Sequence, residues 1–454
     1  MNRPTLRRIF FGGLALACSL FAIVLRSNAS DSITLPLQGY YHPGRYMPVT
    51  VAVTPKTSDE STVGVFSPGA VGTYIRCAGE RIEVTVPWMP MDERARRAFC
   101  SIPGQRDELQ AEPALKPLGE HERLIAYAGV SPEAAKAMAA ILYPRDSAIL
   151  VPLNPAQPMP GVAAAWTTLD AAIFDATTAK HLDESRFGTL ISHGVAVAVD
   201  TAADRSPIFP HWPWKQSGDW RYLRYEPAGP KSAAYLEAVQ TPAAGLKTGW
   251  PVDVRRGLWI TAAVFSILLL LLALWHPRFT VILTVLLAGA FVGGLTAWAH
   301  LRKPLIIVGG KIRIITSGMT QDDDWAYISS HQGIQANMRW IDTTTLMFTS
   351  PIQLDESRAR IVCYPNGDPD FIYAELHPKS KIAMLCRRGG PRAPETSRQS
   401  AVTSPLQDLV RDLYLQPGDE VIGEFPSTPL MASGYTPITQ WPAVLIHRSN
   451  PKTQ

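Results

Sequence analysis

The chain has 454 residues, of which 46% are hydrophobic, and a formal net charge of +4. That is enough apolar material for more than one core, with long apolar runs besides. The basic excess is mild and contains no dense Lys/Arg block, which excludes a dedicated nucleic-acid binder.

Arg3, Arg7 and Arg8 precede an apolar stretch over residues 9–25, so residues 1–29 read as a secretory signal or an uncleaved signal anchor, with Ser27-Asn28-Ala29 offering a cleavage point. Residues 32–103 carry short alternating segments separated by turn formers such as His42-Pro43-Gly44 and Ser67-Pro68-Gly69. This spacing predicts a small antiparallel β-sandwich, a module suited to docking, with no catalytic cluster in it. Residues 103–119 form a linker.

Over residues 120–250 the period changes. Strands are expected at 123–128, 147–153, 169–175 and 195–200. Ser131-Pro132-Glu133 opens one helix as cap, first-turn proline and first-turn acid, and a second helix runs from about 178 to 192. Strands that are apolar throughout, alternating with helices, predict a parallel sheet covered on both faces, a doubly wound α/β domain. Trp212, Trp214 and Trp220 then interleave with Lys215, Arg221 and Arg224. These rings could stack on sugars or single-stranded bases, but packing on the α/β domain or at the lipid interface is expected.

Residues 258–275 and 279–299 are two charge-free apolar runs joined by His276-Pro277-Arg278. Each is long enough to cross a bilayer, and together they predict a transmembrane helical hairpin over 258–299. Arg255, Arg256, Arg302 and Lys303 flank its outer ends, which on charge alone would favour the opposite orientation to the one the N-terminal signal implies. Residues 304–454 alternate apolar and polar positions with turns at Asn366-Gly367 and His377-Pro378, a C-terminal β-rich domain. Within it, residues 389–404 read as a polar loop, residues 406–415 as an amphipathic helix, and Asp322-Asp323-Asp324 as a solvated turn.

Beyond Cys18 the cysteines fall into two pairs, Cys77 with Cys100 and Cys363 with Cys386. In an exported chain each pair is expected to form a disulfide, the alternative being four buried free thiols. No CxxC or closely spaced histidine accompanies them, so no metal is expected there. Asp170, Asp175 and Asp200 fall near strand ends and could together bind a metal, but turn and cap duty is the expected role.

The order of parts over 122–201, around the segment MPGVAAAWTTLDAAIFDATTAKHLDESRFGTLISHGVAVAV, resembles the class I glutamine amidotransferase-like (flavodoxin-like) domain of bacterial envelope membrane proteins, including auxiliary proteins of ABC transporters. The resemblance implies a flavodoxin-like domain. Where such amidotransferases place a nucleophilic Cys this chain has Ala176-Thr177-Thr178, so glutamine hydrolysis is not expected. The fold class expected is thus multi-domain α/β plus all-β with transmembrane helices. The function expected is non-enzymatic: docking, scaffolding or accessory service to a membrane complex such as a transporter. No cofactor is expected. The lipid bilayer and a protein are the expected partners, at the bacterial inner membrane with both soluble modules on the periplasmic or extracellular side. Two alternatives stand beside this: a tethered hydrolase gathering His193, Asp175 and a hydroxyl in a pocket, and a carbohydrate binder using the tryptophans.

Overall fold

The computed structural model describes residues 30–229 apart from 57–59 and 205–207, the helix 252–275 with a few positions after it, and most strands and some turns between 305 and 448. The N-terminal signal-like run and most of the 406–415 segment lie outside the described residues.

Strands dominate, with four α-helices among the described residues. The N-terminal segments do not make a two-layered sandwich. Ser32–Thr34 pairs with Met47–Val53, which pairs with Ile82–Pro90, and that strand joins the start of Ala70–Cys77. From Ala70–Cys77 the sheet continues through Ser61–Phe66 and Phe99–Ser101 to Leu109–Gln110. A bridge between Thr34 and Glu112 brings the last edge back beside the first. The sheet is therefore curled almost into a closed barrel, and the expected sandwich is corrected accordingly. Alternation drives the curl: along Ala70–Cys77 every second residue is buried, and Met47–Val53 buries nearly all of its side chains.

The Ala70–Cys77 strand forks. Ala70 and Val71 pair with Pro90 and Met89, and then Gly72–Ile75 pair in parallel with Arg360–Cys363 from the far end of the chain. Arg358–Cys363 carries Pro369–Leu376 and Ile334–Arg339 with it, giving an eleven-stranded sheet. A second C-terminal sheet of six strands is built on the hairpin Leu305–Ile315 and Met319–Ser330, flanked by Lys381–Pro391 and Ala443–Arg448. Its inner face supplies Ile312, Ile314, Trp325, Leu385 and Ile446 to the same core as Val49, Val63, Val86 and Trp88. Segments before and after the apolar stretch thus share one hydrophobic core.

The remaining six-stranded sheet has four parallel strands in the order Ser147–Pro152, Glu122–Ala128, Ala171–Asp175, Ala196–Asp200, extended by the antiparallel Trp220–Leu223 and Lys215–Ser217. Ile125, Ile173 and Ala198 pack under helix α1 (Pro132–Leu142), while Leu124, Phe174 and Val197 point to the other face. That other face is covered by a 3₁₀ turn at Ala163–Trp166 and by α2 (Ala176–Ala179) and α3 (Glu184–Ser192). The second strand-to-strand connection makes no α-helix because Pro155, Pro158, Pro160 and Gly161 punctuate it. Gly161 instead lies, at φ +75°, against the Thr85 carbonyl of the barrel. The doubly wound, flavodoxin-like expectation is therefore corrected: Trp220–Leu223 runs against the four parallel strands, and α3 packs against Lys381–Pro391 of the C-terminal sheet.

The membrane hairpin is also corrected. Val252–Trp275 is one 24-residue helix, α4, whose own sequence includes Asp253, Arg255 and Arg256. The second run lies outside the described residues except for a few helical positions. Among the described residues no helix is long and apolar enough to cross a membrane.

Neither expected disulfide forms, and Cys77, Cys100, Cys363 and Cys386 are all buried thiols. Register explains the first pair. Cys77 sits opposite Ser61, and Cys100 sits opposite Val65 on the same strand. Four residues of strand hold the two apart by roughly 13 Å, whereas a disulfide needs Cα atoms within about 7 Å. In the second pair, Cys363 belongs to the eleven-stranded sheet and Cys386 to the C-terminal six-stranded sheet. Gly389 and Gly390, expected in a loop, continue the Lys381–Pro391 strand.

Candidate functional site

In open α/β sheets chemistry gathers beyond the carboxyl ends of the parallel strands, at the point where strand order reverses. Here that point lies between Glu122–Ala128 and Ala171–Asp175, and it is filled. Gly129 turns the chain with φ +75°, and a Cβ there would stand 2.2 Å from Asp175 Oδ1 and 2.6 Å from Thr178 Oγ1. The Asp175 carboxylate caps α2 by accepting from Thr178 N at 2.8 Å. Asp200, beside it in register, accepts from Ala202 N at 2.9 Å. Ser131 caps α1 through Ala134 N at 3.1 Å. The strand-end aspartates thus serve as caps, and among the described residues no three His, Cys, Asp or Glu side chains are placed to hold a metal.

His193 lies at the opposite end of the sheet. It follows α3 and precedes the first residue of Ala196–Asp200, whereas Asp175 and Asp200 pair at the strands' far ends. Its Nδ1 donates to the Thr189 carbonyl at 2.8 Å. Burial, aided by the Arg387 charge, lowers its pKa to about 4, so at neutral pH it is an uncharged packing group. The hydrolase arrangement of His193, Asp175 and a hydroxyl is not assembled.

The tryptophans are built into the packing. Trp212 is buried, donates from Nε1 to Glu184 at 3.0 Å, and stands edge-on to Phe187 at 88° and 4.7 Å. Trp214 lies 30° from the same Phe187 ring, so the two indoles are not coplanar, and its Nε1 donates to the Phe209 carbonyl. Trp220 sits half-buried in the strand beside Asp200.

Two charge clusters that no motif announces are the most constructed polar features of the molecule. The first is centred on Asp323, which is fully buried. Arg387 grips it with a two-pronged pair of 2.8 Å bonds, Tyr414 donates to it at 2.7 Å, and Trp325 donates to Tyr414 at 2.6 Å. Arg387 and Gln321 also donate to the Ala228 carbonyl, at 2.8 and 3.0 Å, and Gln321 takes hydrogen bonds from Tyr225 and from Ala228 N. Tyr225 and Ala228 are thereby tied to strands of the C-terminal sheet. Burial pushes the Tyr414 hydroxyl well up, reinforced by Asp323. The three consecutive aspartates form strand rather than turn. Asp322 faces Arg313 across the hairpin, Asp324 takes Arg388 and Lys311, and Asp323 points the other way into the core.

The second cluster surrounds Asp170 at the amino-terminal end of Ala171–Asp175. His42 Nε2 lies 2.7 Å from Asp170 Oδ2, which also accepts from Leu124 N at 2.8 Å. Arg45 and Arg123 approach Oδ1 at 3.4 and 3.6 Å. Burial raises the Asp170 pKa, but His42 and Arg45 outweigh it and hold the carboxyl below its ordinary value. Tyr143 donates to the Asp170 carbonyl at 2.7 Å, and the guanidiniums of Arg123 and Arg224 lie over its ring. The alternation of the QDDDW segment and the Arg387-Arg388 pair are the sequence signals for the first cluster. The isolated aspartate opening an apolar strand is the signal for the second.

A crevice of about 170 Å³ among Val199, Ile208, Trp214 and Arg221 is too narrow for water, and an open depression lies beside Asp92–Arg96. Comparison with family models, with curated proteins and with solved structures yields no match.

Proposed function

We propose that the protein is a non-catalytic docking subunit, a cross-braced β-rich platform that presents α4 to a protein partner. The observation that carries this reading is the uncovered apolar surface of α4. Trp259, Ile267, Leu271 and Leu274 are 59–77% exposed, and Ile260, Val264, Leu268 and Leu270 are exposed with them. Elsewhere the described residues bury nearly all of their large apolar side chains. Covering each such side chain contributes about 1.5–3 kcal/mol, so a complementary apolar surface would bind with substantial free energy. The filled strand ends and the internally bonded cluster around Asp323 support a structural rather than a chemical role for those parts.

The test is site-specific photocrosslinking of the full chain in the cell that makes it. A photoreactive residue at position 267 or 274 is expected to give a protein adduct of discrete mass, absent when the probe replaces the exposed Lys136 of α1. Equal labelling from all three positions, or no protein adduct from 267 and 274, would overturn the reading. The signal-like N-terminus supports docking outside the cytoplasm, and a compartment-sensitive reporter fused after Gln454 reads this directly.

A further inference from the structure

We propose that Arg45, Arg123 and Arg224 form a binding site for a phosphate group at the amino-terminal edge of the parallel sheet. The argument rests on how these guanidiniums are held and on how few of their donors are used. Each arginine carries five N–H donors. The bonds they make are one at 3.4 Å from Arg45 to Asp170, 2.7 and 3.6 Å contacts from Arg123 to Asp146 and Asp170, and one of 2.6 Å from Arg224 to the Leu142 carbonyl. Most of the fork-shaped donor edge of each group is therefore unspent.

They are also held in place, unlike ordinary surface arginines. Arg45 and Arg123 converge on one oxygen of Asp170, whose side chain is 5% exposed. Arg123 and Arg224 lie 5.6 and 4.7 Å from the centre of the Tyr143 ring, which is itself fixed by its bond to the Asp170 backbone. The Asp170 carboxylate and the Tyr143 ring thus tie the three guanidiniums to one base. Arg45 and Arg123 keep about a quarter of their side-chain surface and Arg224 is exposed. Three permanent positive charges face two carboxylates, Asp146 and Asp170, so the cluster has a net attraction for an anion. Phosphate matches it best, because its oxygens accept paired bonds from planar guanidinium forks.

Calorimetric titration of the full chain with inorganic phosphate, at constant ionic strength against chloride, tests the site. Saturable phosphate binding is expected. Arg45→Gln and Arg224→Gln should each weaken it at least tenfold, and Arg224→Lys should weaken it less. Cooperative thermal unfolding of Arg224→Gln and Arg224→Lys shows that each variant is folded when its binding is measured. No saturable binding by the parent, or unchanged binding by both Gln variants, would overturn the proposal. A parallel arm with phosphatidylcholine vesicles, with and without phosphatidic acid, identifies the source: phosphate-specific vesicle binding lost in Arg224→Gln points to a lipid headgroup, and binding of free phosphate alone to a soluble ligand. Either result supports the site.

Discussion

Gly129 shows how one residue decides what the sheet can do. Its left-handed backbone and the absence of a Cβ let the Asp175 carboxylate and the Thr178 hydroxyl occupy the place where an α/β sheet would otherwise open a crevice. Gly129→Ala is expected to cost about 1–3 kcal/mol, from the strained φ and from the clash with Asp175. Urea denaturation of the variant measures it, and a loss below a few tenths of a kcal/mol would show that the turn relaxes freely. The cap roles of Ser131 and the aspartates were legible in the sequence, because small oxygen-bearing residues before apolar runs have few other uses. The closeness of Asp175 to Gly129 was not, because it depends on the pairing of two strands far apart in the chain.

At the level of elements, strand register governs both the cysteines and the aspartates. Sequence spacing made Cys77 and Cys100 look like partners, yet each is fixed opposite a different residue of Ser61–Phe66. Likewise Asp322-Asp323-Asp324 read as a solvated turn because three consecutive carboxylates cannot all point at one ion. Their cations lie on the flanking strands, Arg313 on one side and Arg387 and Arg388 on the other, which no local pattern reveals. The four parallel strands were visible as apolar runs, whereas the antiparallel Trp220–Leu223 and Lys215–Ser217 fall where the regular pattern lapses into dense aromatic and basic residues. The buried pair gives a prediction of its own. Arg387→Met alone is expected to destabilise by about 3–5 kcal/mol, because it strands the Asp323 charge in the core. Adding Asp323→Leu should recover much of that loss, and equilibrium unfolding of the single and double variants checks it. A double variant no more stable than the single would mean that Tyr414 and Gln321 depend on the carboxylate more than the charge pair does.

Across the whole molecule, the α/β part and the C-terminal sheet meet at α3, and His193 directly follows that helix. Unfolded, its imidazole takes a proton near the ordinary 6.5, but folded it resists protonation down to about 4. Between those values the unfolded chain binds the extra proton, so the residue makes no difference above pH 6.5 and lowers stability progressively as pH falls toward 4. The full effect is roughly 3 kcal/mol. The urea midpoint of the parent should therefore drop faster over this range than that of His193→Gln, and parallel slopes would refute the assignment. Packing of the α3 glycine and serine against the strand backbone is close, with a Cβ at Gly389 only 2.5 Å from that of Ser192. The interface has no room to absorb a charge by shifting.

The fork in Ala70–Cys77 also bears on the order in which the polypeptide is made. Gly72 waits for Arg360, a partner encoded about 290 positions downstream, which at ribosomal speeds of about 5–20 residues per second means roughly 15 to 60 s of synthesis. Throughout that interval the nascent N-terminal region exposes a bare strand edge of the kind that recruits other chains. Truncated products ending before residue 358 should therefore aggregate although they contain every N-terminal strand, and a synthetic 358–363 peptide supplied in trans should suppress this.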